Sequence, residues 1–143
     1  SRYPRKADRH LGTLTMILID TSVWIDLLRG KGRGPELASM LRTDTPMAST
    51  EPILMELLAG TRSEVEYTSV RRLGTSVGWL PIDPATDFDS SAQIYAQCRR
   101  NGITPRGLTD TLIVAIALRT ECSLMTSNRD FTAMGTLVPL ELV

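Results

Sequence analysis

Histidine is nearly missing from this chain: His10 is the only one among 143 residues. It sits in a basic, unpatterned leader, so a Ser-His-Asp hydrolase mechanism has no base to use. Cysteine is almost as scarce. Cys98 and Cys122 lack CxxC spacing, which excludes a disulfide framework and a cysteine zinc site. Both lie in apolar-patterned helix or helix-end contexts and read as packing residues in a reducing, cytoplasmic setting. No apolar run approaches the ~18 residues that span a bilayer; the longest is Leu112 to Leu118. No apolar stretch of about 7–15 residues marks a secretory signal near the start. Aromatic residues are 5% of the chain, so Leu, Ile, Val, Met and Ala must fill the core. Lysine is confined to Lys6 and Lys31, against fourteen arginines. Arginine suits forked phosphate contacts, although such a bias also follows genomic base composition. The formal net charge is zero, so no global basic field announces a polyanion.

What is present divides into a leader and one domain. Residues 1–15 carry a net +3 from Arg2, Arg5, Lys6 and Arg9 against Asp8, with no hydrophobic periodicity. They read as a flexible leader or a cloning remnant, with Met16 as the natural start. Residues 16–143 suffice for a single compact domain. Met16 to Ile19 reads as a buried strand, followed by a helix over Val23 to Leu28 capped by Thr21 or Ser22 and stopped at Gly30. A second helix covers Pro35 to Arg42, and Pro46 to Ser49 is a short strand. Thr50 caps a helix from Glu51 to Ala59, closed by Gly60, and Ser63 to Leu73 is another helix. Trp79 to Ile82 is a strand that contains a proline, hence an edge. Pro84 to Arg100 is a long helix, Thr109 caps a helix to Thr120, and Ser123 to Thr126 is a strand. A loop over Ser127 to Asp130 follows, and Thr136 to Val143 closes as a last strand. Strands alternating with helices predict a mostly parallel sheet covered on both faces. Sites in such folds gather at the carboxyl ends of strands, which points to Asp20, Asn128 and Asp130.

Four acids adjoin segments that should be core. Asp20 stands between Met16 to Ile19 and Val23 to Ile25. Glu56 is embedded in Ile53 to Leu58. Asp110 opens the apolar helix ending near Leu118, and Asp130 follows the strand ending at Thr126. A buried ionised carboxylate costs several kcal/mol unless it is compensated. Arg106 and Arg129 are available, but two guanidinium groups do not obviously serve four acids, and Lys6 and Lys31 are remote in sequence. A hard divalent cation would serve them: Mg²⁺ or Mn²⁺ takes oxygen ligands, and such ions promote phosphodiester hydrolysis. Singly, each acid also has a plain reading. Asp20 and Asp110 could cap helices, Glu56 could face solvent, and Asp130 could be an ordinary loop residue. Asp26, Asp83, Asp87 and Asp89 lack the apolar setting and read as solvated or capping.

Ile17-Leu-Ile-Asp-Thr-Ser-Val-Trp-Ile-Asp26 resembles the opening motif of PIN domains, especially VapC-type toxins. Glu51-Pro-Ile-Leu-Met-Glu-Leu-Leu-Ala-Gly60, Thr109-Asp-Thr-Leu-Ile-Val-Ala-Ile-Ala-Leu118 and Leu124-Met-Thr-Ser-Asn-Arg-Asp-Phe131 are similar to the second, third and fourth motifs, in order. The resemblance implies a three-layer α/β/α sandwich and an Mg²⁺- or Mn²⁺-dependent endoribonuclease acting as a toxin. It also implies an acidic quartet of Asp20, Glu56, Asp110 and Asp130, with Asp20 and Asp110 as direct ligands. Many members carry an acid where this chain has Asn128, so either Asn128 or Asp130 faces the metal. Thr21, Ser22 and Thr126 supply hydroxyls to the site or cap helices. Arg99, Arg100 and Arg106 reach RNA phosphates or end a solvated helix. The leader then has a second reading, a basic arm that touches RNA. The implied partners are a transfer, ribosomal or messenger RNA, a second copy in a homodimer, and a VapB-type antitoxin. The antitoxin would lie on the helices at Val23 to Leu28 and Pro35 to Leu41, with Trp24 as anchor unless Trp24 packs on the sheet. A non-cutting PIN-like module that binds RNA or protein is the alternative. A phosphoacceptor receiver is disfavoured, because Asp20 has no acidic neighbour and no lysine follows Lys31.

Overall fold

The computed structural model describes residues 16–143; the leader expected over residues 1–15 lies outside them. Apolar β-branched runs make a parallel sheet of short strands: β1 (Ile17–Ile19), β2 (Met47–Ser49), β3 (Gly78–Trp79) and β4 (Ser123–Met125), in the order β3-β2-β1-β4. Leu18 pairs with Ala48 on one side and with Leu124 on the other. All three residues of β2 and of β4 are buried, so helices cover both faces of the sheet. Those helices are α1 (Thr21–Arg29), α2 (Gly34–Arg42), α3 (Glu51–Ala59), α4 (Glu64–Gly74), α5 (Asp87–Arg100), α6 (Leu108–Thr120) and α7 (Asp130–Met134). The packed pairs include α5 on α6, α1 on α2, and α3 on α4, α1 and α6.

The core runs from Leu18, Ile19 and Val23 through Leu37 and Ile53 to Ile113, Ile116, Leu124 and Phe131, each fully buried. Trp24 is fully buried too, which removes it as an exposed anchor for a partner. The helix α6 is apolar almost all round and buried accordingly. Its placement sets Asp110 at the rim of the core.

Several boundaries differ from expectation, each for a local reason. Asp20, rather than Thr21 or Ser22, caps α1, accepting from the Ser22 amide. Thr50 occupies the cap position of α3 without capping, since its hydroxyl turns to Glu51. Gly107 takes the cap position of α6, leaving Thr109 within the first turn. Pro84 to Thr86 form a turn instead of helix because Asp83 accepts from the Ala85 amide and the Thr86 hydroxyl. The β3 pairing stops early: the Leu80 amide reaches Ser49, Pro81 has no N–H, and the Ile82 amide goes to Glu51. The last strand shrinks to an isolated parallel bridge between Leu124 and Leu142. The amides of Thr136, Leu137 and Val138 donate to carbonyls of α7 and so are lost to a ladder.

Candidate active site

The carboxyl ends of β1 and β4 and the helices α1, α3 and α6 enclose a cleft of about 270 Å³. Asp20, Glu56 and Asp110 line it, together with Thr21, Ser22, Asn128 and Arg106. Asp20 is the first residue past β1, buried, with its amide donating to Met125. Its Oδ2 accepts from the Ser22 hydroxyl at 2.6 Å and the Thr126 hydroxyl at 2.9 Å, as well as from the Ser22 amide. All of these contacts fall on one oxygen. Oδ1 accepts no hydrogen bond from a described residue.

The same hydroxyls order the turn after β4. The Ser22 hydroxyl accepts from the Ser127 amide at 2.9 Å, and the Thr126 hydroxyl accepts from the Asn128 amide at 2.9 Å. The Asn128 Oδ1 then accepts from the Asp130 amide at 3.0 Å, which starts α7. The Thr21 hydroxyl donates to Glu56, and those of Ser22 and Thr126 donate to Asp20.

Glu56 is half-buried on α3, where Thr21 donates its hydroxyl to Oε1 at 2.8 Å. Burial raises the Glu56 carboxyl above the ordinary range; the Thr21 hydrogen bond opposes this, Asp20 adds to it, and Arg106 opposes it. Asp110 is 9% exposed in the first turn of α6. Burial pushes it up to about 6, with the charges of Asp20, Glu56 and Asp130 reinforcing and Arg106 opposing. Like charges therefore face one space. Asp130 pairs with Arg106 at 3.2 Å at the rim, with its own side chain 39% exposed. It is Asn128, not Asp130, that lines the cleft.

Asp20, Glu56, Asp110 and Asn128 all offer oxygen, the donor type that Mg²⁺ and Mn²⁺ take. Among the described residues no three His, Cys, Asp or Glu side chains already form a metal cage. The donor set fits an ion that keeps most of its water and is held by one or two carboxylates, as Mg²⁺ commonly is. Asp20 and Asp110 both line the cleft and are both buried.

Arg99 and Arg100 are exposed in the last turn of α5 and do not line the cleft. Other residues do line it that the acid pattern passed over: Ile25, Asp26, Arg29 and Lys31. Lys31, distant in sequence from most of the acids, returns to them through the loop after α1. Asp26 is buried, not solvated. The signal for Asp26 and Arg29 was spacing: with Ser22 they stand at i, i+4 and i+7 on one helix face.

A PIN-domain family model matches residues 17–137. Ribonuclease VapC11 of Mycobacterium tuberculosis is 35% identical over 129 residues, covering 88% of this chain and 96% of the relative. Ribonuclease VapC19 of the same species is 32% identical, with 87% and 98% covered. The crystal structure of DNA-bound VapBC from Salmonella typhimurium superposes with a TM-score of 0.72 at 24% identity, covering 90% of this chain and 97% of that one. The shared architecture is the parallel sheet with its flanking helices. The chain belongs to the PIN-domain family and, within it, to the VapC ribonucleases.

Proposed function

We propose that this chain cuts RNA internally, with Mg²⁺ or Mn²⁺, as the toxin of a cytoplasmic toxin–antitoxin pair. One observation carries the reading: three carboxylates, Asp20, Glu56 and Asp110, line one strand-end cleft, where burial and the neighbouring acids hold Asp110 above its ordinary range. A fold does not hold mutually repelling carboxylates at a strand-end cleft for stability, and such groups mark sites of chemistry. The names of the relatives VapC11 and VapC19 support RNA as substrate.

Asp20 and Asp110 would hold the ion, which when bound would supply Lewis acidity toward the phosphodiester. Ser22 and Thr126 hold Asp20 Oδ2 so that Oδ1 keeps its aim. Thr21 pins Glu56 Oε1, leaving Oε2 to take a proton from the attacking water. Arg106 steadies Asp130 at the rim. Arg29 and Lys31, on the α1 side of the cleft, meet the phosphate backbone.

A VapB-type antitoxin is the partner, supported by the VapBC complexes among the structural neighbours. Self-association would cover Met55, Phe88 and Leu108, large apolar residues exposed on α3, α5 and α6. Among the described residues no helix is long and apolar enough to cross a membrane.

The test is cleavage of total RNA by antitoxin-free protein with Mg²⁺ or Mn²⁺ and with EDTA, beside Asp20→Asn and Asp110→Asn. Cutting is expected only with metal and only with both acids. Intact RNA beside a folded, metal-loaded protein would favour a binding module that does not cut. Equal cutting by wild type and both variants would place the chemistry elsewhere.

A further inference from the structure

Asp26 lies outside the acidic quartet, and its surroundings differ from theirs. Its Oδ2 accepts from the Ser127 hydroxyl at 2.6 Å and from the Arg33 amide at 3.1 Å. Its carbonyl accepts from the Lys31 amide at 3.0 Å. The loop after α1 is moulded on this residue. Gly32 has φ +53°, and a Cβ there would run into the Asp26 carboxylate. A Cβ on Gly34 would stand 2.6 Å from the Asp26 carbonyl oxygen.

The opposite side of the cleft is fastened to the same group. Ser127 precedes Asn128, and the Arg33 guanidinium donates to the Thr126 carbonyl at 3.0 Å. One carboxylate therefore joins two loops, one delivering Lys31 to the cleft and the other Asn128. The Ser127 hydroxyl is the largest influence on the Asp26 carboxyl. With the Arg33 amide, Lys31 and Arg29 it outweighs burial and keeps the carboxyl below its ordinary range.

We propose that Asp26 is a positioning residue for the substrate, setting the spacing between Lys31 and Asn128 so that an RNA phosphate is met from both sides of the cleft. This rests on the nuclease reading above. Charge alone argues the other way, because an anion beside an RNA cleft repels the backbone. The carboxylate benefits binding only through the two loops it ties, and that opposition of sign makes the idea testable.

The experiment is a binding titration of a fluorescent single-stranded RNA oligonucleotide, read by anisotropy, on protein carrying Asp110→Asn so that no cutting intervenes. In that background Asp26→Ala should weaken binding about tenfold. Asp26→Asn, whose Oδ1 can still accept from Ser127 and Arg33, should bind within about twofold of the parent. Lys31→Ala should weaken binding comparably. The Asp26→Ala/Lys31→Ala double variant should then be no weaker than the worse single, since both act through one contact. Equal tightening by Ala and Asn at position 26 would mean that Asp26 acts by charge. Additive losses would mean that it does not act through Lys31. Either result overturns the proposal, as does a parent that fails to bind RNA. If Asp26→Ala does not fold, Ser127→Ala removes one tie alone and should show the same coupling to Lys31→Ala. Metal-dependent cutting by wild type is measured separately, so loss of the nuclease reading and loss of the Asp26 role are told apart.

Discussion

Asp87 and Asp110 are both buried aspartates in the first turn of a helix, on α5 and α6, and those two helices pack together. Asp87 is fully compensated. Arg119 donates Nε to its Oδ1 and Nη2 to its Oδ2, both at 2.9 Å, and the Asp83 amide donates to Oδ2 at 2.7 Å. The same guanidinium also donates to the Pro81 carbonyl, tying the segment before α5 to α6. Asp110 receives no hydrogen bond from any described side chain or amide, and its charged neighbours are mostly acids. One acid ends a structural network and the other ends in a cleft. Burial alone does not tell a functional carboxylate from a structural one; the identity of its partners does.

The largest expected contrast is in activity. Asp110→Asn should lower metal-dependent RNA cutting by about 10³-fold or more, as loss of a principal electrostatic contact does. Asp87→Asn should leave the rate per folded molecule near wild type. Single-turnover cleavage, normalised to the folded fraction, measures both. A comparable loss in the two variants would end the distinction drawn between them.

Stability should reverse the order. Asp87→Ala strands the Arg119 guanidinium and should cost about 3 kcal/mol, the range for breaking a buried pair. Denaturant unfolding of metal-free protein reads this directly. In the same assay at pH 7, Asp110→Asn should stabilise by about 2 kcal/mol, because it removes a charge the fold disfavours.

The pH dependence sharpens the comparison further. The Asp110 carboxyl is raised from 3.8 to about 6 in the folded chain. Between those values the native state holds a proton that the unfolded chain has released. Stability from this group therefore falls as pH rises through that window, and the deficit is complete above about 6. Metal-free wild type should gain thermal stability between pH 7 and pH 5 relative to Asp110→Asn. Added Mn²⁺ at pH 7 should raise the midpoint of wild type and not of the variant.

The sequence makes Asp110 legible because it opens a run with no polar relief from Leu112 to Leu118. Glu56 and Asp20 are legible for the same reason. Asp87 is not: it reads as solvated or capping within Asp87-Phe-Asp-Ser-Ser91, and its compensation comes from Arg119 on another helix. Lys31 was hidden differently, since the loop after α1 brings it back to the cleft, and Asp26, on α1 itself, takes its partners from that loop and from Ser127. The order of strands and helices follows from hydrophobic patterning as far as β4. Beyond it, the five-residue α7 is too short to show a period, and its capture of the following amides removes the expected final strand.

The smallest effect expected is at Thr21, whose hydroxyl holds Glu56 Oε1 at 2.8 Å and lowers a carboxyl that burial raises. Thr21→Val keeps the shape and removes that bond. The Glu56 carboxyl should then move further upward, so the acid limb of the rate profile should shift to higher pH. The rate at its optimum should fall only about three- to tenfold, the net worth of one ordinary hydrogen bond. A slower variant with an unmoved acid limb would show that Thr21 merely packs against α3, and Glu56 would lose its assignment as proton acceptor. A moved limb with an intact fold would separate its role from that of Asp110, whose loss should lower the rate far more at every pH.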